Sequence, residues 1–153
     1  MSAIKKDTNP KDSVGVKKVP MHCVSGRVLL EIGLGMLDGG RKYGTHNYRS
    51  MGVRASVYFD AVMRHLLAFW EGEDTDPESG LPHIIKAITS LTVLRDSQVM
   101  GNWKDDRPVY LPGGAGVAEL NKLAAKIIKR CPKAKKPFTE LGKLQQISSR
   151  RCR

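Results

Sequence analysis

Cysteine is scarce and unpatterned in this chain: Cys23, Cys131 and Cys152 are odd in number and share no CxxC spacing, which excludes a disulfide framework and gives no support to a structural zinc site. A reducing cytoplasm is the expected compartment. No run of about eighteen apolar residues occurs, and the first residues, MSAIKKDTNPKD, hold no apolar h-region, so neither membrane spanning nor secretion is expected. Convincing β-alternation, internal repeats and low-complexity tracts are also missing, which removes sheet-based and solenoid architectures. The glycine-rich stretch PGGAG is followed by no GKS or GKT, so it reads as a flexible breaker and not as a phosphate loop.

What is present is charge, unevenly spread. The net charge is +11 over 153 residues, yet residues 121–153 alone carry eleven Lys or Arg against the single Glu140, or +10, leaving +1 for residues 1–120. The basicity is thus a property of a tail, able to contact nucleic acid weakly through counterion release but no signature of a nucleic-acid-binding core. The length suits one domain with a real core. We expect a domain over 1–130, including an extended arm over 1–20 without helix, and a basic tail over 131–153.

Apolar periodicity points to an all-α fold, a bundle of about four helices. The first runs from about Ser25, a plausible N-cap, to Arg41, with Gly39-Gly40 as its stop; Gly33 and Gly35 inside it suggest close approach of another backbone or of a ligand. Glu31, Asp38 and Lys42 share one ionic face of this helix. KYGTHNYRS follows as a polar turn. A second helix over Val53–Gly72 carries a wide apolar face (Tyr58, Phe59, Val62, Met63, Leu66, Phe69, Trp70) opposite Asp60, Arg64 and Glu71, with His65 at the border as either a core histidine or a ligand. A third spans Leu81–Arg95, residues 99–116 form a loop, and a fourth covers Val117–Arg130. The short turn between the second and third makes a helical hairpin.

That turn concentrates acid. From Asp60 to His83 the chain carries Asp60, Glu71, Glu73, Asp74, Asp76 and Glu78, which repel one another unless a positive group neutralises them. The plain alternative is a solvated acidic turn between two core helices. A cysteine-free, oxygen-rich set suits Mg²⁺ or Mn²⁺, hard cations that keep coordination places for water and phosphate. An EF-hand is excluded, because the sixth place of the loop that opens at Asp74 is Ser79 and the twelfth is Ile85, where Gly and Glu are required. Lys11, Lys42, Arg49 and Arg64 could neutralise a polyphosphate, and Asn9, Asn47 and Tyr43 could contact a base, although each alone is more often an ordinary surface residue.

NPKD near the start, KYGxxNYR after the first helix, DAxxRHLLAxW on the second, GEDTDPESGLPH at the hairpin and DDRP at Asp105–Pro108 occur in order. In this set the chain resembles the phage dATP/dGTP diphosphohydrolase family, itself similar to the MazG and HisE group of all-α nucleoside triphosphate pyrophosphohydrolases, over roughly residues 7–110. The resemblance implies a Mg²⁺- or Mn²⁺-dependent homo-oligomer, dimer or tetramer, that cuts a purine deoxynucleoside triphosphate to monophosphate and pyrophosphate. It extends to the MazZ-type enzymes, which convert dGTP to dGMP in phages whose DNA carries 2-aminoadenine. The EExxE and ExxD strings of the MazG group are missing, which leaves the metal ligands open among Glu31, Asp60, His65, Glu71, Glu73, Asp76 and His83. On this reading Glu31, Glu73 and His65 carry catalysis, and Asn9, Lys11, Asp12, Lys42, Tyr43, Asn47, Arg49 and Arg64 hold the substrate. Two other classes stand beside it: a non-catalytic basic protein that grips nucleic acid with its tail, and a helical partner in a phage replication complex using apolar surface around Trp103 and Tyr110.

Overall fold

The segment NPKD opens a short helix, α1 (Pro10–Gly15), where no helix was expected. Asn9 Oδ1 accepts from the Lys11 N–H at 3.0 Å, Pro10 occupies a first-turn place where an N–H would go unused, and Asp12 meets the positive end of the helix. Local capping is enough to build this turn. A computed structural model describes residues 9–139; the start of the expected arm, 1–8, and the arginine-rich end of the expected tail, 140–153, lie outside the described residues. Among the described residues there are six α-helices, one short 3-10 turn (Met21–Cys23) and no β-strand, so the all-α expectation holds.

Helix α2 (Gly26–Tyr43) opens at Ser25, whose Oγ accepts from the Val28 N–H at 3.4 Å. It does not stop at Gly39-Gly40. The helix continues one turn further, and the stop is Gly44 at φ 94°, a left-handed conformation that favours glycine, with its N–H donating to the Gly40 carbonyl at 3.0 Å. That extra turn carries Lys42 and Tyr43. The expected polar turn after it contains a short helix, α3 (Asn47–Met51), which buries Tyr48.

Helices α4 (Ala55–Trp70) and α5 (His83–Met100) form the expected antiparallel hairpin, and α2 and α3 pack on α5. The small apolar core holds Tyr48, Val53, Ala55, Val62, Ile85 and Ala87. Gly35 lets α2 approach α5 closely, because a Cβ there would collide with the Thr89 side chain; a Cβ at Gly33 would meet nothing within 4 Å, and both glycines border a cavity. Helix α5 outruns its expected end at Arg95, and the added turn carries Ser97, which has 0% exposure and donates to Asn102 Oδ1 at 2.7 Å. Asn102 Nδ2 in turn donates to the carbonyls of Tyr48 (3.1 Å) and Arg49 (2.7 Å), tying α3 to the segment after α5.

No side chain of its own caps α4. The cap comes from fifty residues downstream: Asp106 accepts from the Ser56 N–H at 2.8 Å and from Ser56 Oγ at 2.6 Å. The strand-like bridge between Arg54 and Lys104 holds that loop alongside, with Lys104 N–H donating to the Val53 carbonyl at 2.7 Å. This explains why DDRP matters to the fold.

The chain divides into one unit ending at Pro108 and a second beginning at Val109. In the second, α6 (Val117–Arg130) matches its expected limits and is amphipathic, with Leu120, Leu123 and Ile127 exposed and Lys122, Lys126 and Lys129 on its polar side. No helix among the described residues is long and apolar enough to cross a membrane.

Candidate active site

The acidic hairpin loop is a folded turn. Asp76 N–H donates to the Leu81 carbonyl at 2.9 Å, Gly80 N–H returns to the Asp76 carbonyl at 2.8 Å, and His83 N–H donates to the Asp74 carbonyl at 3.0 Å. Gly80 takes φ 69°, and the Asp76 side chain accepts from Ser79 Oγ at 2.5 Å and from the Ser79 N–H at 3.2 Å. In this way DPESG fixes its own carboxylate. Burial raises the Asp76 pKa, but the hydrogen bonds from Ser79 and the backbone of Glu78, with the charge of Lys86, outweigh it and hold the carboxyl below its ordinary value.

Beside this turn lies a cavity of about 670 Å³, walled by α2, the turn after it, α4 and α5. The volume suits a nucleotide-sized ligand. Three carboxylates (Asp38, Asp76, Glu78) and three cations (Lys42, Arg64, Lys86) line it. Asp38 Oδ2 receives Lys86 Nζ at 2.6 Å and Lys42 Nζ at 3.3 Å, and Lys42 also reaches Glu78 Oε1 at 2.6 Å. The hydrogen bond from Lys86 holds the Asp38 carboxyl below its usual range, against burial, with Lys42 adding to the effect. Tyr43, His46, Tyr48 and Tyr58 also line the cavity and supply aromatic surface, and Asn47 adds an amide. Burial, and the neighbouring Tyr43 and Tyr48, raise the Tyr58 pKa, so its hydroxyl stays neutral.

At the cavity wall, where His65 is a lining residue, two imidazoles meet. His65 Nδ1 and His83 Nδ1 are 2.8 Å apart, so one must carry the proton that the other accepts. His83 is 5% exposed; its Nε2 finds no hydrogen-bond partner among the described residues and lies 3.4 Å from Glu73 Oε2. Burial, and then the adjoining His83, lower the His65 pKa, keeping that ring neutral at neutral pH.

Of the residues singled out in the sequence, Lys42, Tyr43, Asn47, Arg64, His65 and Asp76 line the cavity, while His83 contacts His65 and Glu73 approaches His83. Arg49 is not among the lining residues: it grips Asp96 with both Nε (2.6 Å) and Nη2 (3.1 Å). Glu31 sits two helical turns before Asp38 and pairs with Arg27 at 2.6 Å. Asp60 and Glu71 are exposed, Asn9 is spent on capping α1, and Lys11 and Asp12 are exposed on α1; none of these lines the cavity. Sequence reasoning missed Lys86, and left Asp38 and Glu78 as mere charges. In HIIKAI Lys86 is a lone cation between apolar neighbours, a pattern that fits a solvent-facing lysine as well as one paired with a carboxylate.

Among the described residues no three His, Cys, Asp or Glu side chains converge so as to hold a metal ion by themselves. The donor chemistry of the cavity wall is nonetheless that of a hard cation, since Asp38, Asp76 and Glu78 offer only oxygen.

No solved structure matches the chain. A dATP/dGTP diphosphohydrolase of Salmonella phage PMBT28 is 32% identical over 74 residues, covering 48% of this chain, which spans 25% of that relative's length. The family model "dATP/dGTP diphosphohydrolase, N-terminal" matches residues 8–107, the stretch that builds α1 to α5, the acidic turn and the Asp106 cap. With some two-thirds of its length so matched, the chain belongs to the dATP/dGTP diphosphohydrolase N-terminal family.

Proposed function

We propose that the cavity binds a purine deoxynucleoside triphosphate and hydrolyses it between the α- and β-phosphates, with Mg²⁺ or Mn²⁺, to the monophosphate and pyrophosphate. One observation carries this reading: a single cavity of about 670 Å³ unites three cations, three carboxylates and an aromatic wall, in a chain of a family described as acting on dATP and dGTP. Lys42 and Arg64 neutralise phosphate oxygens, while Tyr43, Tyr48 and Asn47 contact the base and sugar. Asp38, Asp76 and Glu78 do not converge to hold a metal by themselves, so a metal here would need the substrate's phosphate oxygens beside them; when bound it would lower the pKa of a water and offset charge on the phosphates.

Neutral His65, with Nδ1 engaged by His83, presents Nε2 as the nitrogen able to accept a proton from the attacking water. The water oxygen bonds to the α-phosphorus as the bond to the bridging oxygen breaks, and pyrophosphate leaves. Glu73, near His83 Nε2, orients the histidine pair from behind. Within this class the resemblance favours dGTP or GTP as substrate, with dGMP supplied for 2-aminoadenine-containing phage DNA in the host cytoplasm. A homo-oligomer is the proposed state, supported by the small core beside exposed Leu30, Leu34, Phe59 and Trp70.

The test is to incubate the purified protein with each common nucleoside triphosphate and Mn²⁺ and to separate the products. Monophosphate with pyrophosphate supports the reading; diphosphate with orthophosphate, or no turnover with any metal, overturns it. A second reading, a non-catalytic protein that grips nucleic acid, draws on the cationic side of α6. Deleting residues 121–153 abolishes nucleic-acid binding on that reading and spares triphosphate hydrolysis on ours.

A further inference from the structure

His65 on α4 and His83 on α5 share one hydrogen bond and therefore one proton between them. Their Nδ1 atoms are 2.8 Å apart, with ring centroids 5.1 Å apart and ring planes tilted by 45°. Two neutral imidazoles satisfy this contact in either of two ways. In the first, His65 Nδ1 carries the shared proton, its Nε2 is bare, and His83 keeps its own proton on Nε2. In the second, each of these assignments is reversed. The same contact thus leaves His65, which lines the cavity, with either an acceptor or a donor as its second nitrogen.

The surroundings of His83 decide between the two. Its Nε2 is the single buried side-chain nitrogen or oxygen without a hydrogen bond among the described residues, and the Glu73 carboxylate lies 3.4 Å from it. The hairpin turn sets that approach, since the Glu73 N–H donates to the Ala68 carbonyl at 3.0 Å and the His83 N–H to the Asp74 carbonyl at 3.0 Å. A proton on Nε2 meets the carboxylate favourably; a lone pair there would turn buried negative density toward a negative group. The Glu73 side chain is 53% exposed, so a small rotation is open to it and closes the remaining gap to a hydrogen bond. On the other ring, one anion (Asp76) and two cations (Lys86, Arg64) act on His65 with opposing signs, and none of them is hydrogen-bonded to it. The bias therefore comes from the His83 end.

Resting on the nucleotide reading above, we infer that Glu73 and His83 are positioning residues that lock the tautomer of His65: Glu73 keeps the His83 proton on Nε2, His83 Nδ1 accepts the His65 Nδ1 proton, and His65 Nε2 is left bare to accept from the attacking water. On attack the water gives one proton to that nitrogen, while its oxygen bonds to the α-phosphorus and the bond to the bridging oxygen breaks. The Nδ1–H···Nδ1 bond then becomes charge-assisted, and the proton leaves Nε2 for solvent after the products. Neither positioning residue touches substrate. The reversed tautomers would place an N–H where the base is needed.

Nitrogen magnetic resonance reads the tautomers directly, because protonated and bare ring nitrogens resonate far apart. The sample is the full, metal-free chain with ¹⁵N-labelled histidine at about pH 8, where neutral rings dominate, and the four histidines are assigned by single His→Gln variants. The parental chain should show His65 protonated at Nδ1 and His83 at Nε2, outweighing the reverse by about tenfold or more. In Glu73→Lys, which puts a cation beside His83 Nε2, the two signals should exchange toward the reversed pair. With triphosphate and Mn²⁺ the same variant should lose about tenfold or more in kcat, with KM changed by less than about threefold. A parental chain with the reversed tautomers overturns the inference whatever the variant does, and so do unchanged tautomers in Glu73→Lys that circular dichroism shows to be folded. Either result leaves the nucleotide reading to its product assay. Tautomers as assigned in a chain that hydrolyses no triphosphate overturn the nucleotide reading, and with it the catalytic purpose of the lock.

Discussion

Ser97 and Asn102 show how much of this fold rests on single polar side chains. The buried Ser97 hydroxyl orients Asn102, whose amide satisfies two carbonyls at the end of α3. Asn102→Ala removes the amide donor from the Arg49 carbonyl, one of several donors from the Tyr48 carbonyl and the Oδ1 acceptor from the buried Ser97 hydroxyl, and is expected to cost about 1–3 kcal/mol, read from urea unfolding. Gly52 is more constrained still: it takes φ 72°, and a Cβ would run into the Asn102 carbonyl oxygen. Gly52→Ala is expected to cost about 2 kcal/mol or more in the same assay. His65 makes the stability of the chain depend on pH. Its folded pKa lies below the ordinary 6.5, so the neutral ring favours folding above that value, and the contribution is lost as pH falls toward the folded pKa. Between about pH 7.5 and about pH 5 the parental chain should therefore lose more unfolding free energy than His65→Gln. Asp38 and Asp76, both held below their ordinary values, titrate below this window.

Among the elements, two glycines of α2 that look alike in sequence have opposite roles. Gly35→Ala drives a methyl into Thr89 of α5 and is expected to destabilise by about 1–3 kcal/mol, much of it recovered in Gly35→Ala/Thr89→Ala. Gly33→Ala meets open space and, by raising helix propensity, is expected to stabilise by up to about 1 kcal/mol. Thermal unfolding of the three variants tests the pattern. The sequence could say that glycines here mean close approach; it could not say that of these two, both bordering the cavity, only Gly35 meets a side chain of another helix. Long helices were legible because their apolar faces repeat over several turns, and α6 matched residue for residue. The short α1 and α3 were not, because each depends on a few local bonds: the Asn9 cap for one, the left-handed His46 and Gly52 that bracket the other. The end of α2 was misread because glycine pairs stop helices only where the backbone turns left-handed, and Gly39-Gly40 stays helical while Gly44 turns.

At the scale of the whole chain, the acidic hairpin and the KYGTHNYR segment were recognisable as the poles of a site, since charge and hydrogen-bonding residues cluster there along the sequence. The partners that complete it were not, because Asp38–Lys86 joins residues far apart along the chain, across a packing of α2 on α5 that periodicity does not encode. So small a core beside exposed apolar residues on α2 and α4 predicts self-association: light scattering behind size exclusion should give a dimer or tetramer, and Phe59→Glu/Trp70→Glu should shift it toward the monomer. A chain ending at Pro108 should keep its helical circular dichroism and cooperative melting. One ending at Met100 should not, because Asn102, Lys104 and Asp106 go with it. The borrowed cap of α4 thus imposes an order on biosynthesis: a growing polypeptide cannot lock the start of that helix until Asp106 has cleared the ribosome, so maturation of this unit is timed by its last few residues.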